Sequence, residues 1–85
     1  MNINLRFFAS VREALGTSQE AATLPAGVTT VGGVREFLQG RGGAWAKALA
    51  PERSLRVAYN QVMCSAETEI TDGCEVAFFP PVTGG

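Results

Sequence analysis

Histidine is absent from this 85-residue chain. Its absence removes the commonest general base, the commonest metal ligand and every Ser-His or Cys-His nucleophilic pair. Cysteine is scarce: Cys64 and Cys74 are too few for a disulfide framework or a four-cysteine metal site, and they do not form a CxxC. With no histidine to lower a thiol pKa, both read as small, semi-buried hydrophobes. Charge of one sign is also lacking. Seven Lys and Arg face eight Asp and Glu, scattered along the sequence, which argues against a nucleic-acid patch or a polybasic membrane surface. No apolar run approaches the roughly 18 residues of a membrane span. The opening MNINLRFF alternates polar and apolar residues instead of placing charge before a greasy run, so a cytoplasmic location is the expectation.

Two motifs fail on inspection. GVTTVG (27–32) spells GxxxxG, but Gly33 and Val34 stand where a phosphate-binding loop needs Lys and Ser or Thr. Glu67 and Glu69 alternate in a loop and read as solvated charges, not as an acid–base pair.

What the chain does have is apolar residues, 46% of the total, enough for one globular domain. A domain this small buries only about 60% of the surface its unfolded form exposes, so its stability is expected to be modest. Asn2 to Phe8 reads as a strand with Ile3, Leu5 and Phe7 on one face and Asn2, Asn4 and Arg6 on the other. Phe8 breaks the alternation, which predicts a strand end covered on both faces. ASVREAL (9–15) predicts two helical turns closed by Gly16. A second strand is expected over Glu20 to Leu24.

Thr29 or Thr30 can cap the next helix. Its buried stripe is Val31, Val34, Phe37 and Leu38, with Arg35, Glu36 and Gln39 outside. Gly32 and Gly33 fall in its first turn, at a cost of about 1 kcal/mol each relative to Ala. Trp45, Ala48 and Leu49 suggest a further short turn, with Trp45 a core or lid residue. Leu55 to Tyr59 alternates as a third strand, Asn60-Gln61 is a turn, and Val62-Met63-Cys64 forms a short strand or an exposed apolar ledge. Asp72-Gly73 signals a turn before Glu75 to Phe79, a strand apolar on both faces and therefore central in its sheet. This order fits an α+β fold, a mixed sheet wrapped around one main helix.

The sequence closes on PPVTGG. Pro80 and Pro81 lack N–H donors and end sheet pairing. Val82 and Thr83 are stiff at χ1, and Gly84 and Gly85 have no side chains to obstruct a narrow channel. Six residues reach about 20 Å when extended. A glycine α-carboxylate is ionised at neutral pH and is a competent nucleophile toward the α-phosphorus of ATP. The resulting acyl-adenylate accepts sulfur or nitrogen nucleophiles.

These features resemble the ubiquitin-like sulfur carriers, most closely the small-subunit family of molybdopterin synthase. The resemblance spans essentially the whole chain. It rests on NLRFFASVREALG, Val57-Ala58-Tyr59-Asn60-Gln61, TDGCEVAFFPPV and the terminal Gly84-Gly85, with FFPPV-x-GG the specific part. It implies a β-grasp body over 1–79 and an extended tail over 80–85. It also implies that an ubiquitin-activating-like adenylyltransferase uses ATP to adenylate Gly85, and that a sulfurtransferase converts it to a thiocarboxylate. The tail then enters the large subunit, which delivers the sulfur to cyclic pyranopterin monophosphate within a heterotetramer of two small and two large subunits. On this resemblance the chain is a non-catalytic carrier with no permanently bound cofactor and no metal, and neither nucleic acid nor membrane is a partner. Gly85 carries sulfur, Thr83 and Gly84 thread the channel, and Phe79, Pro80, Pro81, Val82 and Met63 dock the partner. Alternation assigns Phe78 to the core and Phe79 to the docking surface. Cys74 departs from the Asp often found in the family, and Gly32-Gly33 from better helix formers, which implies a looser helix. Carriers for thiamine thiazole or cysteine synthesis share the Gly-Gly tip but generally not the FFPP approach. A ubiquitin-like tag or binding module, never thiolated, is the alternative of another class.

Overall fold

The computed structural model describes residues 1–81. The alternation in NINLRF becomes β1 (Asn2–Phe7), with Ile3, Leu5 and Phe7 buried and Asn2 and Asn4 exposed. Phe8 corrects the expectation of a strand end covered on both faces. It is the N-cap of α1 (Ala9–Leu15) and is 39% exposed, because the chain swings from strand into helix there. Helix α1 closes at Gly16, whose φ of 73° lets its N–H donate to the Arg12 carbonyl at 2.9 Å. That left-handed conformation carries no Cβ penalty in glycine.

β2 (Gln19–Thr23) returns antiparallel to β1. α2 (Val31–Gln39) is the longest helix, and Thr30 Oγ1 caps it by accepting the Gly33 N–H at 3.0 Å. Val31, Val34 and Leu38 are buried as the stripe predicts, and Phe37 packs half-buried beside them.

The outer face of α2 departs from expectation at two residues. Arg35 and Gln39 are half-buried. Arg35 Nε donates to the Leu49 carbonyl at 2.8 Å and its Nη2 to the Arg53 carbonyl at 2.9 Å, while the Gln39 amide also donates to Leu49 O. These long polar side chains satisfy carbonyls at the end of α3 (Gly43–Ala48) and in the turn after it. Burial lowers the Arg35 pKa and the nearby Glu52 charge opposes that shift.

Gly32 also does more than weaken its helix. Its N–H donates to the Ala66 carbonyl at 2.8 Å, and a Cβ placed on it would stand 3.1 Å from that same oxygen. The absent side chain admits the loop that precedes Ile70, a buried core residue.

β3 (Arg56–Tyr59) and β4 (Val62–Cys64) form a hairpin. Asn60 and Gln61 turn it with φ of 47° and 69°, the positive pair that a tight two-residue hairpin turn requires. β5 (Glu75–Phe79) lies at the centre of a five-stranded sheet ordered β2-β1-β5-β3-β4, parallel to β1 and antiparallel to β3. This mixed sheet with its helices is a β-grasp fold. One sheet face supplies Ile3, Leu5, Phe7, Val76 and Phe78 to a core completed by Val31, Val34, Leu38 and Leu49. Cys74 is buried in that core and Cys64 is half-buried beside it. Phe7 links the layers: its ring stacks on Phe78 at 6.3 Å and meets Trp45 edge-on at 5.6 Å. Among the described residues no helix is long and apolar enough to cross a membrane.

Candidate functional site

β5 fixes where sheet pairing ends ahead of Pro80 and Pro81. Its register pairs Phe78 with Phe7 on one side and Val57 on the other, and pairs Phe79 with Arg56. The Phe8 N–H donates to the Phe78 carbonyl at 3.3 Å as the final rung beside β1. Pro80 and Pro81 follow, both half-buried, and neither can donate to a ladder. Sheet pairing thus stops within one residue of Phe79, in the middle of the sheet and not at an edge.

The two phenylalanines before the prolines have different surroundings. Phe78 is fully buried. Phe79 points to the opposite face and is half-buried, its ring edge-on to Phe8 at 6.2 Å. The Arg6 guanidinium lies 5.4 Å from the centre of the Phe8 ring, a distance suited to cation–π attraction. Arg6 Nη1 is also 3.8 Å from Glu75 Oε1. The row Phe79–Phe8–Arg6–Glu75 is thereby joined across β5 and β1.

Met63 falls on this same sheet face, because it pairs with Ala58, which pairs with Ala77, and residues paired across strands share a face. Met63 is 55% exposed on the edge strand and its neighbour Val62 is 67% exposed. Phe79 and Met63 are therefore brought to one face, with Arg56 between them on β3. Val82, Thr83, Gly84 and Gly85 lie outside the described residues.

Phe8, Arg6 and Arg56 belong to this face and were not singled out from sequence. Phe8 did leave a signal, its break in the period of two, although the break marks an exposed ring at a strand-to-helix turn and not the covered strand end it predicted. For Arg6 and Arg56 the signal exists only once the strands are paired. No group of three or more His, Cys, Asp or Glu among the described residues is placed to hold a metal ion. This face carries aromatic, thioether and guanidinium groups and no cluster of acid, base or metal-ligating side chains among the described residues.

Comparison with known proteins fits this geometry. Residues 5–85 match the ThiS family. The molybdopterin synthase sulfur carrier subunit of Escherichia coli is 45% identical over 83 residues, covering 98% of this chain and 99% of that protein. Its counterpart in Haemophilus influenzae is 43% identical with the same coverage. The crystal structure of SAMP1 from Haloferax volcanii superposes with a TM-score of 0.76 at 24% identity, covering the whole of both chains, a likeness of fold. The chain belongs to the ThiS family of ubiquitin-like proteins and is similar over nearly its full length to molybdopterin synthase sulfur carrier subunits.

Proposed function

We propose that this chain is the sulfur carrier of molybdenum cofactor biosynthesis, working as the non-catalytic small subunit of molybdopterin synthase. The observation that carries the reading is its 45% identity, across 98% of its length, to a molybdopterin synthase sulfur carrier subunit. The β-grasp body of residues 1–79 presents the tail of residues 80–85. A carboxylate oxygen of Gly85 attacks the α-phosphorus of ATP on an ubiquitin-activating-like adenylyltransferase, and pyrophosphate leaves. A sulfurtransferase system delivers sulfur that displaces AMP, a thiol reducing the S–S bond where the donor is a persulfide, and Gly85 becomes a thiocarboxylate. The tail then enters the large subunit, where the sulfur passes to cyclic pyranopterin monophosphate, and hydrolysis restores the Gly85 carboxylate.

In this scheme Thr83 and Gly84 thread the partner's channel, because small side chains admit close approach. Pro80, Pro81 and Val82 dock the arm on the partner. Phe79 and Met63 are the apolar anchors, a residue class that commonly dominates interfaces. The working unit is a heterotetramer of two small and two large subunits. ATP is used on the activating partner, so this chain needs neither cofactor nor metal, and its want of histidine is no obstacle.

Reconstitution tests the reading. The thiocarboxylated chain, incubated with the large subunit and cyclic pyranopterin monophosphate, should yield molybdopterin. The chain lacking Gly84 and Gly85 should yield none. Formation of lysine conjugates with no molybdopterin would assign it to the tags instead.

A further inference from the structure

The seven cations scattered through the sequence are not scattered in space. Arg6 pairs with Glu75, Arg41 pairs with Glu20, and Arg35 is engaged by backbone carbonyls. Four others, Arg12, Lys47, Arg53 and Arg56, are in no ion pair with the described residues and are exposed. Topology gathers three of these four at the end of β5. Lys47 and Arg53 flank a groove of about 450 Å³ between α1 and α3, walled by Val11, Ala14, Leu55 and Pro80. Arg56 stands opposite Phe79 on β3. The other end of β5 carries acidic residues, with Asp72 in the turn before it and Glu75 as its first residue.

Two features make the groove more than a solvated margin. Arg35 bonds to the carbonyls of Leu49 and Arg53, which fixes the turn and holds the Arg53 backbone at the groove. Pro80 is both a wall of the groove and the first residue after β5, so a protein that closes around the chain from Pro81 onward must lie against it.

We propose that this groove docks an acidic segment, bearing Asp or Glu side chains, of the protein that receives the tail; the inference rests on the carrier reading above. The apolar walls suit the carbon stems of such side chains, and the two cations complement their carboxylates. A free phosphate has no stem to place against Val11, Ala14, Leu55 and Pro80. Since Lys47 and Arg53 are exposed, their contribution is to the rate and salt dependence of association more than to the lifetime of the complex.

The experiment measures association of the full chain with its large synthase subunit across a range of salt concentrations. Lys47→Ala/Arg53→Ala is compared with a control of equal net charge, Ser18→Glu/Ala26→Glu, whose sites are exposed and lie outside both the groove and the docking face. The groove variant should associate roughly threefold to tenfold more slowly at low salt, with a flattened salt dependence. The control should change less than about twofold, and Lys47→Arg/Arg53→Lys should match the unsubstituted chain. Lys47 is the single lysine of the sequence, so carbodiimide coupling of the complex should join it to an Asp or Glu of the partner.

A groove variant indistinguishable from its control, or equal loss in the charge-retaining pair, overturns the proposal. If molybdopterin is still formed in that case, the carrier reading survives. Retention of inorganic phosphate or ATP by the unsubstituted chain, lost in the groove variant, would make this a phosphate site and also overturn the acidic-segment assignment. No association of the unsubstituted chain with the large subunit would remove both.

Discussion

The two ends of β5 are built on opposite principles. At its start nearly every polar group is tied. The Asn2 N–H donates to Asp72 Oδ1 at 2.7 Å, the Asn4 N–H to the Cys74 carbonyl at 2.8 Å, and the Glu75 N–H to Asn60 Oδ1 at 2.8 Å. Asn60 also donates its own N–H to the Glu75 carbonyl at 2.9 Å. At its finish two prolines remove the donors, an exposed ring leans on a half-buried one, and cations stand without ion-pair partners among the described residues. One end is closed within the domain. The other leaves aromatic groups partly exposed and cations without ion-pair partners among the described residues, which is where the proposed carrier would meet its partner. A single five-residue strand thus anchors the tail in the core and presents its root to solvent.

Phe78 and Phe79 offer the sharpest way to break this comparison. Phe78→Ala should empty the centre of the core and cost about 3–5 kcal/mol, a large share of what a domain this small has. Urea denaturation would show it as a fall in midpoint with little change in slope. Phe79→Ala should instead weaken association with the large subunit by about 2 kcal/mol, roughly thirtyfold in Kd, while lowering the unfolding midpoint far less. Normal binding by a Phe79→Ala protein that unfolds much more easily would move Phe79 into the core and erase the distinction.

The smallest predicted effect lies away from both ends. Arg41 Nη1 donates to Glu20 Oε1 at 2.9 Å, and its guanidinium sits 4.4 Å from the centre of the Trp45 ring. The hydrogen bond from Arg41 lowers the Glu20 pKa, with burial opposing it and the Arg41 charge assisting. A depressed carboxylate pKa adds stability that is fully present above the unfolded-state value and lost as pH falls through the folded-state one. Because both groups are partly solvated, the pair should contribute less than about 1 kcal/mol. The difference in midpoint between the parent and Glu20→Gln should therefore be small at neutral pH and vanish in acid.

Much of this architecture is legible in the sequence where a local rule meets no competitor. Period-two alternation predicts the faces of β1, Gly16 marks the end of α1, and an apolar run marks β5 as central. Local rules are silent on what crosses between elements. Arg35 and Gln39 read as outer-face residues because the 3.6-residue period reports only their angle on α2. Their partners are carbonyls ten to eighteen residues away. Gly32 reads as a weakness because the loop that needs its missing Cβ comes more than thirty residues later. Phe8 reads as covered because its break in the alternation suggests neighbours on both faces, and only the turn into α1 exposes it. Val82 to Gly85 lie outside the described residues, so the reading of the tail rests on residue types and on the resemblance to relatives.

The most direct test of the central claim is made on the last residue. The chain is incubated with ATP, the activating enzyme and a sulfur source, and its C-terminal peptide is isolated and fragmented. Fragmentation is needed because replacing oxygen by sulfur and oxidising Met63 or a cysteine add nearly the same mass. The account predicts sulfur on Gly85 and nowhere else. A plain carboxylate at Gly85, after loading enzymes proven active on a known carrier, would contradict it.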